Sequence, residues 1–121
     1  MHLRAGQRLR RTHEFRAARE QGRRIDCGAF VMNWRRRDEE SPAGPARVGV
    51  VASKAQVGDA VARNRAKRRL RALFRRHQNI IPAGSDLVLT ARAALLGMEF
   101  SEIEQGFLHA CRKLPVTPAR A

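Results

Sequence analysis

The chain has 121 residues, of which 43% are hydrophobic, and it carries 25 Lys+Arg against 11 Asp+Glu, a net charge of +14. That apolar fraction suffices for a core, so wholesale disorder is excluded, and the length fits one domain spanning residues 1–121, with an ordered core near 7–114 and a tail at 115–121. No apolar run approaches the ~18–20 residues a membrane-spanning helix needs, no secretory h-region is present in Met1–Arg11, and Cys27 and Cys111 form neither a CxxC nor a metal spacing, so a reduced, cytoplasmic protein is expected. In chain order, Leu9–Gly22 reads as a helix, with Thr12 as its N-cap, Phe15 and Ala18 on its apolar face and Gly22 as its stop. Ile25–Trp34 reads as a strand, Asp38–Ala46 as a loop, and the β-branched run Arg47–Ser53 as a second strand in which Gly49 marks a bulge or a close backbone approach. Ala60–His77 is a helix: Ala62, Ala66, Leu70, Leu73 and His77 fall on one stripe, with Phe74 at its margin and cations around the rest. Leu87–Ala91 is a short buried strand. Ser101-x-x-Glu104 has the form of a capping box opening a last helix, whose stripe is Ile103, Phe107, Ala110, Cys111 and Leu114. The strand–helix–strand order across 47–92 has the form of a parallel crossover, and three helices on one small sheet make an α+β sandwich.

The excess charge is concentrated. Residues 1–24 net +6 and residues 54–78 net +8, while the other 72 residues balance at eight cations and eight acids. A charge kept for solubility would be scattered, whereas two blocks suit a polyanion. All but three of the 25 cations are arginine. A guanidinium fork grips phosphate bidentately and stacks on bases; an ammonium does this poorly. Asn64, between two arginines, adds a donor and an acceptor able to read a base edge or a 2′-hydroxyl.

The stretch Arg47–Phe74 resembles the bacterial ribonuclease P protein component. The resemblance rests on an ordered set: Gly49 in a strand, Ser53-Lys54, the segment Val57–Val61, Arg63-Asn64-Arg65 and Lys67-Arg68. The run Leu9–Phe15, Gly22 and the strand Asp86–Arg92 extend it to roughly residues 7–113. The chain departs from the family at Arg19, where a second apolar or aromatic residue is common, at Ala55, at Asp59, and in having no tyrosine. Asp59 also fits a helix N-terminus, where a carboxylate offsets the dipole.

The resemblance implies a small four-stranded mixed sheet packed with three helices in a two-layer sandwich, in the order α-β-β-β-α-β-α, with a left-handed βαβ crossover. It implies a partner of a catalytic RNA that removes the 5′ leader of precursor tRNA using Mg²⁺ held by the RNA, with one protein per RNA. By the same resemblance Arg63, Asn64, Arg65, Lys67, Arg68, Arg69 and Arg71 face the RNA subunit. Arg10, Arg11, Phe15, Phe30, Arg47, Ser53 and Lys54 line the path of the leader. For Phe15 and Phe30 the residues alone leave core packing and base stacking equally open.

No catalytic or metal-binding residue is assigned to the protein. The histidines lack HxH or HExxH spacing, no P-loop occurs, and Ser53-Lys54 lacks the S-x-x-K spacing of an activated serine. Asp38-Glu39-Glu40 reads as a solvated turn, His77 as a core-edge residue, and both cysteines as small buried hydrophobes. The alternative is a small structural RNA-binding protein of the ribosomal type, with no role in cleavage; ribosomal RNA recovered with it would favour that reading. A DNA-binding module is disfavoured because the cations ring the helix instead of marking one reading face. A stand-alone protein nuclease would require activity that survives removal of all RNA.

Overall fold

The computed structural model describes residues 7–9, 11–37 and 45–114; Arg10, most of the 38–46 loop and the tail from residue 115 lie outside them. The elements are α1 (Thr12–Gln21), β1 (Arg23–Asp26), β2 (Phe30–Arg36), β3 (Arg47–Val51), α2 (Lys54–Val57), α3 (Ala60–His77), β4 (Ser85–Ala91) and α4 (Phe100–Arg112), with short 3-10 turns at Gln78–Ile80 and Ala93–Gly97. The sheet runs β1-β2-β4-β3. β3 and β4 are parallel, joined through α2 and α3, and the other pairs are antiparallel.

Several local expectations need correction. The single strand expected over Ile25–Trp34 is a hairpin, because Asp26 Oδ1 accepts the Gly28 N–H at 2.8 Å and Gly28 takes φ +83°, a turn that Asp-x-Gly favours. Helix α1 starts at Thr12, so Thr12 is not its cap. Arg11 is, with extended backbone, and the Glu14 carboxylate accepts the Arg11 N–H at 3.0 Å. The residues before it run beside β3 instead of coiling: Leu9 N–H donates to the Val48 carbonyl at 3.0 Å. The box of α4 is shifted two residues, with Glu102 accepting the Glu99 N–H at 3.2 Å. Glu104 is thereby left to meet His77 at 2.7 Å. Strand β3 ends at Val51, and Ser53 caps α2, a fourth helix beyond the three expected. The span of α3 matches the expected one, and Asp59 caps it, accepting the Ala62 N–H at 2.9 Å.

Alternation along the strands gives the sheet two faces. Phe30, Met32, Trp34, Val48, Leu87 and Leu89 join Ala66, Leu70, Leu73 and Phe74 of α3 and Ile103, Phe107 and Ala110 of α4 in the main core. Phe74, at the margin of the helical stripe, is wholly buried in this core. On the other face Val88 packs with Leu9 and Ala18, flanked by Phe15 and Val51. Helix α1 therefore covers the face opposite α3 and α4, and the two-layer sandwich becomes a sheet with helices on both sides. The reason is that β4 is apolar on both faces, so one layer of helices would leave Val88 in water.

Candidate nucleic-acid interface

Burying Ala66, Leu70, Leu73 and Phe74 against the sheet turns the opposite side of α3 outward. Asn64, Arg65 and Arg68 are exposed there, and Arg63, Lys67 and Arg71 are partly exposed. Among the described residues none of these five cations makes an ion pair. Like charges three and four residues apart on a helix destabilise it by a few tenths of a kcal/mol per pair, roughly 0.2–0.5. The free protein thus carries an uncompensated cationic ridge, and neighbouring phosphates would relieve it by displacing their counterions.

Arg69 does not belong to that ridge. Its guanidinium turns inward and donates to the carbonyls of Met98 at 2.8 Å and Leu95 at 3.3 Å, tying α3 to the 3-10 turn before α4. Arg76 is likewise engaged, lying over the Phe100 ring at 5.3 Å with Glu104 at 3.7 Å.

The second surface is the side of the sheet that α1 only partly covers. Phe15 is partly exposed and lies directly on Gly49, where a Cβ would collide with its ring. This is the close approach that the glycine signalled. Val51 and Thr90, also partly exposed, continue that face, and exposed Lys54 stands at its end. Exposed Arg11 opens α1.

Three residues assigned to the leader path are placed otherwise. Phe30 is fully buried, with its ring 6.4 Å from that of Phe107. Its register opposite Ala91 fixes it on the α3–α4 face, so it cannot stack on RNA. Arg47 donates to both oxygens of Asp86 at 2.8 Å and to Glu14 at 3.0 Å, and these carboxylates, Asp86 foremost, hold its pKa above the usual arginine value. It pins α1 to the sheet. Ser53 is exposed, but its hydroxyl accepts the Gln56 N–H at 3.2 Å as a helix cap.

Asp86 was overlooked as a structural centre. It is only 1% exposed and also accepts from Arg37 at 2.6 Å, while Arg37 reaches the Pro45 carbonyl at 2.8 Å. An acid opening an apolar strand, with arginines at the ends of two others, was the available signal. Arg8 was overlooked too, because its place depends on the N-terminal segment folding back along β3.

Among the described residues no three or more His, Cys, Asp or Glu side chains gather as a metal site, and no helix is long and apolar enough to cross a membrane. Burial pushes the Cys27 and Cys111 thiols up to about 12, so both stay protonated near neutrality.

An α+β sheet protein with an arginine-rich helix side that has no carboxylate partners among the described residues belongs to a class, that of small basic proteins suited to a polyanion. Comparison with known proteins makes it specific. The family model for ribonuclease P matches residues 3–115, and the chain belongs to that family. The ribonuclease P protein component of Salinispora tropica is 42% identical, covering 74% of this chain and 76% of its own length. That of Brevibacillus brevis is 33% identical, covering 90% and 83%. Among solved structures, the RNase P protein of Staphylococcus aureus superposes with a TM-score of 0.75 at 25% identity, covering 92% of this chain and 97% of that one. The Thermotoga maritima protein gives 0.75 at 26%, covering 90% and 98%.

Proposed function

We propose that this chain is the protein subunit of ribonuclease P in tRNA 5′ maturation. The outward side of α3, with Arg63, Asn64, Arg65, Lys67 and Arg68, grips the catalytic RNA. Phe15, Arg11, Lys54 and the sheet face beside α1 hold the unpaired leader of precursor tRNA. A-form RNA presents a wide, shallow minor groove, which suits a ridge that reads shape, phosphate and 2′-hydroxyl more than base identity. The leader is single-stranded, so one aromatic platform in a cationic groove suits it, at about 1–3 kcal/mol per stacked base. Bond cleavage and the Mg²⁺ it needs belong to the RNA in this reading, with one protein per RNA in the cytoplasm. The protein's part is to position the substrate and to neutralise phosphate repulsion between two RNAs.

The observation that carries this reading is the set of five α3 cations without carboxylate partners among the described residues, on a chain of this family. The test is reconstitution with the cognate ribonuclease P RNA. Added protein should lower the Mg²⁺ needed for precursor cleavage and should favour precursor over mature tRNA. If cleavage at low Mg²⁺ is unchanged, and the chain instead copurifies with ribosomal RNA, the structural RNA-binding alternative holds.

A further inference from the structure

Two of the side chains proposed to hold the leader share one short stretch: Arg11 caps α1, and Phe15 stands in its first turn. Between them, Glu14 puts its two carboxylate oxygens to different uses. Oε1 accepts the Arg11 N–H at 3.0 Å, and Oε2 accepts from Nη1 of Arg47 on β3, also at 3.0 Å. Arg47 in turn donates from Nε and Nη2 to the two oxygens of Asp86, each at 2.8 Å, and Asp86 is its register partner on β4. Asp86 is 1% exposed, and Arg37, the residue after β2, holds it at 2.6 Å while reaching the Pro45 carbonyl at 2.8 Å. A continuous path of charge-assisted hydrogen bonds thus runs from the end of β2, through the buried acid, to the start of α1.

Two arginines and two acids make this path neutral. It adds no net attraction for a phosphate chain, so its effect on a bound strand comes from where it puts α1. The apolar contacts of α1, Ala18 and Phe15 against Val88 and Val51, are non-directional and leave a helix able to slide or turn on the sheet. A guanidinium fork engaging two carboxylates fixes distance and angle together. Phe15 needs that precision. Its ring lies on Gly49, where even a Cβ would collide with it, so a small rotation of α1 either drives the ring into the β3 backbone or lifts it from the face.

We propose that Glu14 is a positioning residue for the 5′ leader: by coupling the first turn of α1 to the Arg47–Asp86 pair, it sets Phe15 and Arg11 at the height and angle at which an unpaired strand is held. The inference rests on that face being the leader path.

Two substitutions break the link while treating charge differently. Glu14→Gln adds one positive charge to the leader face, leaves the Arg47–Asp86 pair in place, and keeps a single carbonyl oxygen that can serve the Arg11 cap. Arg47→Lys conserves charge, but one ammonium cannot reproduce the fork that spans both acids. The measurement is the preference for precursor over mature tRNA, with kcat and KM for the precursor, by holoenzyme reconstituted with the cognate RNA. Affinity for the RNA subunit and the thermal midpoint are read on the same preparations. Both variants should lower the preference by about fivefold or more, the low end of what one stacked base supplies. The loss should fall on KM, with kcat at saturating precursor and affinity for the RNA subunit unchanged. In a Phe15→Ala background, Glu14→Gln should cost far less, because it acts largely through that ring.

Attraction alone predicts another pattern, in which Glu14→Gln binds precursor more tightly and Arg47→Lys changes nothing. Lost stability alone would lower the midpoint and the affinity for the RNA subunit together and leave the preference as it was. Either pattern overturns the proposal, and so does an undiminished preference in either variant or a full Glu14→Gln effect without Phe15. Failure of the leader-path reading itself would show differently, as no preference for precursor over mature tRNA in the unsubstituted holoenzyme.

Discussion

Arg65 and Arg69 lie one helical turn apart on α3, and the structure gives them opposite jobs. Arg65 is exposed and unpaired; Arg69 donates to the Leu95 and Met98 carbonyls. Removing Arg65 with Arg65→Ala deletes no intramolecular bond and relieves like-charge repulsion, so stability should change by less than about 0.5 kcal/mol. Affinity for the catalytic RNA should fall and the salt slope should flatten by about 0.7–0.9. Arg69→Ala instead removes two charge-assisted hydrogen bonds to part-buried carbonyls and leaves those acceptors without their donor. Each such bond is worth about 1.5–3 kcal/mol when formed in full. The longer 3.3 Å contact contributes less, so a total near 2 kcal/mol is expected, equivalent to a loss of roughly 8 °C in midpoint for a domain this size. The assay pairs a thermal melt with RNA binding at several salt concentrations. If Arg69→Ala keeps its midpoint and flattens the salt slope while Arg65→Ala does neither, the division of α3 into a gripping side and a docking side is wrong.

The two phenylalanines of the notional leader path should separate as cleanly. Phe30→Ala should cost about 3–5 kcal/mol in urea unfolding because it empties a fully buried site, whereas Phe15→Ala should leave most of the stability and reduce the preference for precursor over mature tRNA. Gly49→Ala should imitate Phe15→Ala, since the added methyl must displace that ring, with ~1–3 kcal/mol of overpacking cost read in the same melts. Asp86→Ala leaves two guanidinium groups around an empty buried position and should lose about 3–5 kcal/mol, followed through Trp34 fluorescence next to it; a loss under 1 kcal/mol would show the network to be dispensable. The thiols give a pH window: burial places their folded values near 12, above the ordinary thiol value of 9.0, so both states are protonated below about 9 and their contribution is complete there. It is lost as pH rises from 9 to 12, because only the unfolded chain ionises in that interval, and Cys27→Ala/Cys111→Ala should flatten this part of the urea-midpoint profile.

Helical elements were legible where the signal is a long periodic stripe, as in α3, whose span was read to the residue. The starts of α1 and α4 were misread for one physical reason. A capping carboxylate can act from three residues inside the helix on the N–H of any preceding residue, so Glu14 and Glu102 set the starts while Thr12 and Ser101 only look the part. The sheet face on the α1 side was half legible. Gly49 announced a close approach, but its partner Phe15 is fixed by where α1 crosses the sheet, a tertiary fact. Phe30 and Phe15 are equally apolar in sequence, and only strand register separates them. Arginine is the hardest case. Arg37, Arg47 and Arg69 serve the fold while Arg65 and Arg68 do not, and composition cannot sort a guanidinium that finds a carboxylate or carbonyl from one that does not.

What sorts them is where the acids are. Of the acids among the described residues, Glu14 and Asp86 hold Arg47, Asp26 holds Arg92, and Glu104 holds His77 and Arg76, while Asp59 and Glu102 cap helices. Glu99 caps α4 and Glu20 is exposed on α1; the others are engaged at a seam between elements or at a helix start, and none is ion-paired to the outward cations of α3. A basic chain that needed only solubility would gain from placing some of these carboxylates three or four residues from Arg65 and Arg68, where each pair would add a few tenths of a kcal/mol. The arrangement forgoes that gain and leaves the repulsion in place. Self-repulsion held on one helix side, with the apolar side of the same helix fully packed, is stable only because the core beneath it is large. It suits a partner that brings negative charge at phosphate spacing.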